Sequence, residues 1–215
     1  MSVLNDALFP LFSNPFHRTV EDIIAVGGVL DAEILQHSYQ HGIFPWPHEG
    51  YPLLWFAPEK RGVIDFEFLR VPRSFKKWMK KTGPEFEIKF DSQFKEVVRQ
   101  CRLQKRKGQN GTWINDDIEK AYFDLFKTGG AFSCEIYRGP SLVGGLYGVR
   151  SQKYFSCESM FHLEDNTSKL ALYQLAQKLM TEGHRWMDIQ MVTEVCESFG
   201  GRLIPKKEFL ARIGF

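Results

Sequence analysis

The sequence has no CxxC pair. Its four cysteines, Cys101, Cys134, Cys157 and Cys196, stand far apart, which argues against a zinc ribbon or a redox dithiol and suits buried, reduced thiols. The six histidines are read as forming no ligand pair at metal spacing, so no metal is expected. No run of about 18 apolar residues is present to span a bilayer. The opening Met-Ser-Val-Leu-Asn-Asp offers no basic stretch before an apolar core, so no secretory signal is expected. Repeats and low-complexity linkers are missing too. Together these absences point to a cytoplasmic, metal-free globular protein. The 215 residues, 43% hydrophobic and 25% charged, suffice for one large domain or two small ones.

Net charge is also small, at +2, but it is unevenly placed. Residues 60 to 107 carry 15 Lys and Arg against 6 Asp and Glu, which leaves the remainder acidic. Such asymmetry fits a polyanionic partner for the basic part. Its densest piece, Arg73-Ser-Phe-Lys76-Lys77-Trp78-Met-Lys80-Lys81, interleaves aromatics with bases, a combination suited to nucleic acid. A solvated helix face is the competing reading.

Local pattern supplies the elements. Residues 1 to 18 read as loop, broken by Pro10 and Pro15. Asp31 caps a helix from 32 to about 39, and the prolines of Gly42-Ile43-Phe44-Pro45-Trp46-Pro47 exclude helix beyond it. Trp46 and Trp55 in this Pro-bracketed stretch are core plugs or the walls of an apolar pocket. Residues 62 to 69 and 86 to 90 alternate as strands around the basic helix. Asp91 or Ser92 caps a helix with apolar positions Phe94, Val97, Val98 and Cys101, and 105 to 110 form a polar loop. A helix opens at Asp116-Asp117 and stops at Gly129-Gly130; 132 to 137 and 142 to 149 make a hairpin, and a strand follows across 154 to 161. Asp165 to Ser168 offer caps for a helix carrying Leu172, Leu175, Ala176 and Leu179 until Gly183. The strand after it, 186 to 191, puts Asp188 and Gln190 on one face, roughly 7 Å apart. That pair is a candidate site, or else a wet sheet edge. The element order predicts an α+β fold with a mainly antiparallel sheet. The basic stretch is the expected seam, dividing residues 1–65 from 66–215.

Several motifs in this order resemble the leucyl/phenylalanyl-tRNA–protein transferase family. They are Tyr39-Gln-His-Gly42-Ile43-Phe44-Pro45-Trp46, Leu54-Trp55-Phe-Ala-Pro58-Glu-Lys-Arg61, Gly111-Thr112-Trp113-Ile114, Leu142-Val-Gly144-Gly145-Leu-Tyr147-Gly148-Val149, Glu158-Ser159-Met160-Phe161, Asn166-Thr-Ser168-Lys169 and Asp188-Ile-Gln190. The resemblance covers about 25 to 210. It departs at Ile189, where the family usually has Cys, at Val195, where it usually has His, and at Trp55-Phe56 and Ser198-Phe199-Gly200-Gly201. The Val195 change puts a general-base histidine in doubt.

The resemblance implies a small N-terminal α/β domain and a C-terminal acetyltransferase-like (GNAT-like) catalytic domain. It implies a monomeric enzyme, without cofactor, that moves Leu or Phe, and Met more weakly, from aminoacyl-tRNA to proteins with N-terminal Arg or Lys. The product would carry an N-terminal degradation signal. The implied catalytic residues are Asp188, Gln190 and Glu158. Leu146, Phe155, Met160 and Leu175 would form the amino-acid pocket. Tyr39, Trp46 and Trp113 would hold the terminal adenosine, while Arg73, Lys76, Lys77, Lys80 and Lys81 would meet tRNA phosphates. An aminoacyl ester is already activated and an α-amine has a pKa of about 7.7–8.0, so positioning suffices and a strong base is not required. Asp188 is expected to orient the Gln190 amide, whose oxygen then accepts from the attacking amine. Two other classes stay open on pattern: an acyl-CoA-dependent N-acetyltransferase, although no glycine-rich loop opens a helix, and a non-catalytic RNA-binding module.

Overall fold

A computed structural model describes residues 22–48, 50–105 and 112–215. The polar loop expected at 105–110 falls almost wholly outside them, as do Gly111 and the N-terminal stretch. Strand β1 (Ile23–Val26) is followed by helix α1 (Ala32–Gln40), then strands β2 (Phe44–Pro45) and β3 (Leu54–Phe56). Asp31 caps α1 as expected, accepting from the Ile34 amide at 2.8 Å. The three strands form an antiparallel sheet in the order β1-β3-β2.

The chain then enters a seven-stranded sheet at β4 (Lys60–Asp65). Strand ends there, and Phe66–Phe68 turns into a 3-10 helix that buries Phe66. The strand expected over 62–69 is therefore shorter and earlier, and residues 60–65 belong to the large sheet. Next come α2 (Arg73–Thr82), β5 (Glu87–Phe90), α3 (Phe94–Leu103), α4 (Asp116–Lys127), β6 (Ala131–Arg138), β7 (Ser141–Arg150) and β8 (Phe155–His162). The chain closes with α5 (Thr167–Thr181), β9 (Trp186–Gln190), α6 (Glu194–Ser198), β10 (Arg202–Pro205) and α7 (Lys206–Arg212). The strand order is β10-β4-β9-β8-β7-β6-β5, antiparallel at every pair except β8 with β9. The fold is α+β with a mainly antiparallel sheet, as the element order predicts.

Alternate residues of the central strands feed two cores. On one face Tyr147, Val149 and Phe161 pack with α3, α4 and the N-terminal elements, so that Leu35, Tyr39 and Trp55 share a core with Val97, Ile118 and Tyr122. On the other face Phe132, Leu146 and Ile136 pack under α5 and α2. Among the described residues the N-terminal sheet thus has no separate large core; it is docked on that of the large sheet.

Two helix starts depart from expectation. Asp91 takes a left-handed φ of 59° and accepts from the Ser133 amide at 2.8 Å, so it cannot cap α3. Buried Glu135 accepts instead from the Gln93 amide, at 3.3 Å from across the sheet. Asn166 likewise precedes α5 without a side-chain cap, and the Thr167 hydroxyl donates to Val143 O at 2.9 Å. Among the described residues no helix is long and apolar enough to cross a membrane.

Strand β7 crosses β8 with a bulge at Tyr147/Gly148. A Cβ on Gly148 would collide with Ser156 O and lie 2.6 Å from the Phe132 ring. Gly148→Ala should therefore cost about 2–4 kcal/mol through forced backbone shifts. Urea unfolding checks this, and an unchanged midpoint would contradict it.

Candidate active site

The site grows from the one parallel strand pair. Ser156 of β8 sits opposite Asp188 of β9, and this is the only registered pair between the two strands among the described residues. Two residues further on, Glu158 and Gln190 flank the point where the strands part. Helix α5 is the crossover that parallel pairing requires.

Asp188 is fully buried. Its two oxygens take Nε and Nη2 of Arg61 at 2.8 and 2.7 Å, the Ser156 hydroxyl at 2.7 Å and the Gln190 backbone amide at 2.9 Å. The Gln190 side chain goes elsewhere, its Nε2 donating to Glu158 Oε2 at 2.8 Å. The expectation that Asp188 orients the Gln190 side chain is thereby corrected: Asp188 fixes the backbone, and Glu158 fixes the amide. With its nitrogen committed to Glu158, Gln190 turns its Oε1 away from that carboxylate, and no donor meets that oxygen among the described residues.

Gln190 itself has φ 56°, and the Met191 amide donates to Ile189 O at 2.5 Å. This is a γ-turn of the rare positive-φ kind, strained for any residue with a side chain. The hydrogen bond from its own amide to Asp188 helps hold it.

The Ser156 hydroxyl, whose single proton also faces Asp188, lies 2.9 Å from Glu158 Oε1, and the Tyr122 hydroxyl donates to Glu158 Oε2 at 3.4 Å. Tyr122 in turn shares a 2.7 Å hydrogen bond with the Tyr39 hydroxyl. Burial pushes the Glu158 carboxyl up to about 7; the nearby Asp188 charge adds to this, and hydrogen bonds from the tyrosine pair, Gln190 and Ser156 hold it back. Burial also raises Tyr39 and Tyr122 well above the usual tyrosine value, which keeps both neutral. For Arg61 burial opposes the charge, but the ion pair with Asp188 outweighs it and the guanidinium stays protonated.

A cavity of about 180 Å³ opens beside this network. Trp46 and Trp113 stand on one side, with Leu146, Met160, Leu172 and Ile189 among its apolar walls; Glu158 and Gln190 supply the polar edge. The structure thus gathers Glu158, Gln190, Trp46, Trp113, Leu146 and Met160 as expected. It removes others. Leu175 is buried in the core, and Leu172, one turn earlier on α5, takes its place. Phe155 packs edge-on against Phe132 and beside His184, not at the cavity. Tyr39 is wholly buried with its ring edge-on to Tyr122, so it cannot stack on a base. Its contribution is the hydroxyl that supports Tyr122.

Arg61, Ser156 and Tyr122 were missed as site residues. A usable signal existed for one: Ser156 lies two residues before Glu158 and shares its strand face. Val195 packs half-buried on the lower core, while Thr193 and Cys196 of the same segment line the cavity. The histidine reading also needs correction, because His37 and His41 stand one helical turn apart with ring centroids 4.6 Å apart. No third ligand joins them: among the described residues no group of three or more His, Cys, Asp or Glu could hold a metal.

The basic helix separates its two characters. Arg73, Lys76, Lys77, Lys80 and Lys81 share one exposed face of α2, and none has an ion-pair partner among the described residues. The aromatics face inward: Phe75 is buried and stacks on Trp78 at 5.6 Å, and Trp78 packs on Phe86. The interleaved pattern is thus an amphipathic helix, with charges out and rings in, and these rings are not stacking platforms for bases.

The raised Glu158 carboxyl has a testable consequence for stability. The folded chain holds this proton more tightly than the unfolded one, so the group weakens folding progressively between about pH 4.3, the unfolded value, and about 7. Glu158→Gln lacks that loss. Relative to the wild type it should gain about 1–3 kcal/mol between pH 5 and 8 in urea unfolding. A difference that does not change with pH would contradict the assignment.

The sequence model described as Leucyl/phenylalanyl-tRNA protein transferase matches residues 63–214, and that of the family's N-terminal domain matches 28–59. A leucyl/phenylalanyl-tRNA--protein transferase of Flavobacterium johnsoniae is 40% identical over 97% of this chain and 96% of its own. One from Shewanella piezotolerans is 42% identical over 87% of this chain and 78% of its own. Among solved structures, a GCN5-related N-acetyltransferase-like protein from Streptococcus suis aligns at 14% identity and a TM-score of 0.43, covering 80% of this chain and 64% of that one. With family models spanning most of its length and relatives near 40% identity, the chain belongs to the leucyl/phenylalanyl-tRNA–protein transferase family.

Proposed function

We propose that this protein transfers Leu or Phe, and Met more weakly, from aminoacyl-tRNA to the N-terminal Arg or Lys of acceptor proteins. It would act as a monomer in the cytoplasm, and its product would carry a new N-terminal degradation signal. The observation that carries the mechanism is the Gln190 side chain, held through its nitrogen by Glu158 at the edge of an apolar cavity.

In this reading the donor's side chain lies in the cavity against Leu146, Met160 and Leu172, and Trp46 and Trp113 flank the terminal adenosine. The acceptor's α-amine donates a hydrogen bond to Gln190 Oε1, which aims its lone pair at the ester carbonyl. The C–N bond forms, the ester C–O bond breaks, and the proton leaving nitrogen ends on the ribose hydroxyl. Glu158, titrating at about 7, is partly ionised at neutral pH, where it can take that proton in passing and attract a cationic N-terminus. Asp188 stays behind the site as a positioning residue. Since the ester supplies the driving force, the residues contribute placement and electrostatics, which account for most of the acceleration in such a step. The outward face of α2 suits the tRNA backbone, and the division of the chain is proposed to fall just before Lys60.

The test mixes the protein with charged tRNA(Leu) and an Arg-starting peptide. Leu-peptide should form with nothing else added. Replacing the five α2 bases by Ala should weaken tRNA binding and flatten its salt dependence, while leaving an aminoacyl-adenosine donor nearly unaffected. Gln190→Ala should lower kcat about 10- to 1,000-fold. A strict requirement for acetyl-CoA would restore the acetyltransferase alternative, and tRNA binding without any transfer would leave an RNA-binding module.

A further inference from the structure

Arg61 touches nothing in the donor cavity, yet its contacts converge on it. The side chain is 1% exposed. Its guanidinium lies between the Phe44 and Phe209 rings, 4.5 and 4.7 Å from their centroids. Nε and Nη2 fork onto Asp188, and Nη1 donates to Gly42 O at 3.1 Å. The next residue, Gly62, pairs with Gln190, and a Cβ there would lie 2.9 Å from the Met191 carbonyl carbon. Strand β4 therefore presses on the turn at Gln190 from one side, while Asp188 holds its amide from the other. Strained turns persist only where surrounding contacts over-determine them.

We propose that Arg61 is a positioning residue for aminoacyl transfer: its guanidinium clamps Asp188, so that the strained turn presents the Gln190 amide to the attacking amine. The proposal rests on the assignment of Gln190 to the transfer step. Three properties make the guanidinium suited to this place. Its planar fork matches a carboxylate with two bonds, it has a further donor for Gly42 O, and it is weakly enough hydrated to sit between two rings. A lysine ammonium matches the charge but not the fork. Arg61 also lines a second cavity, of about 370 Å³, together with Ile43, Ala57, Pro58, Phe209 and Phe215. That cavity gives a small cation a path to the clamp.

A kinetic cycle on the full chain tests this, using aminoacyl-tRNA and an Arg-starting peptide. Arg61→Lys should lower kcat about 10- to 100-fold, the scale of a displacement near 1 Å, with KM for aminoacyl-tRNA changed by less than about twofold. On a Gln190→Ala background the same substitution should cost less than about threefold, because its effect passes through the amide. Guanidinium ion should restore kcat saturably to Arg61→Ala but not to Arg61→Ala/Gln190→Ala. If Arg61→Ala does not fold, the Arg61→Lys cycle decides alone. Wild-type kcat in Arg61→Lys, independent multiplying losses, or a change in KM alone would overturn the clamp while leaving Gln190 in its role. Wild-type kcat in Gln190→Ala would overturn the transfer reading, and the clamp with it.

Discussion

The buried pair of Arg61 and Asp188 is the constraint on which the site depends. Two charges removed from water repay their desolvation only when their remaining hydrogen-bonding capacity is met. Here it is met by Ser156, the Gln190 amide and Gly42 O, groups drawn from separate segments of the chain. Removing one member would leave a buried unpaired charge, at a cost of about 3–5 kcal/mol. The pair therefore fixes relative position: it ties the end of α1, strand β4, strand β8 and strand β9 to one point. Gly42 shows how tight this meeting is, with φ 75° and a Cβ position only 2.6 Å from the Phe209 ring.

From that point outward, polarity falls away in steps. The ion pair has no contact with the cavity, the Glu158–Gln190 pair edges it, and apolar walls complete it. In the proposed reading, a large apolar donor side chain and a cationic acceptor would meet at this boundary. The charges proposed to meet tRNA lie on the outer face of α2, whose inner face sets Phe75 edge-on against Tyr173 and Phe199. Recognition of the carrier and handling of its ester would then use separate parts of the chain, so each could be altered without the other.

Much of this was legible in the sequence, for reasons that differ by element. Helices α1 and α4 follow from local signals: Asp31 caps the first as expected, and the second opens at Asp116-Asp117, although its cap, Asn115, was not singled out. The start of α3 was not legible, because its supporting carboxylate, Glu135, lies 42 residues away in sequence from the amide it meets. Alternation put Asp188 and Gln190 on one strand face, whereas Glu158 was reached only through the family motif. The roles within the network could not be read that way. Alternation placed Asp188 beside Gln190 but did not reveal the left-handed turn that swings the side chain to Glu158. Tyr39 and Leu175 were assigned to ligands since an aromatic or aliphatic residue in a motif looks the same whether it faces a cavity or a core. Arg61 ends one of the family motifs, but its role went unread because a basic residue in a basic stretch gives no sign that a buried carboxylate awaits it.

In the proposed mechanism Glu158 sets the Gln190 amide and itself titrates at about 7, with no histidine base. The most direct measurement is single-turnover transfer across pH at saturating Arg-starting peptide, comparing the wild type with Glu158→Gln. The wild type should show two limbs, one at about 7 and one that follows the peptide's α-amine, with only the second surviving in Glu158→Gln. An unchanged limb near 7 in that variant would contradict it.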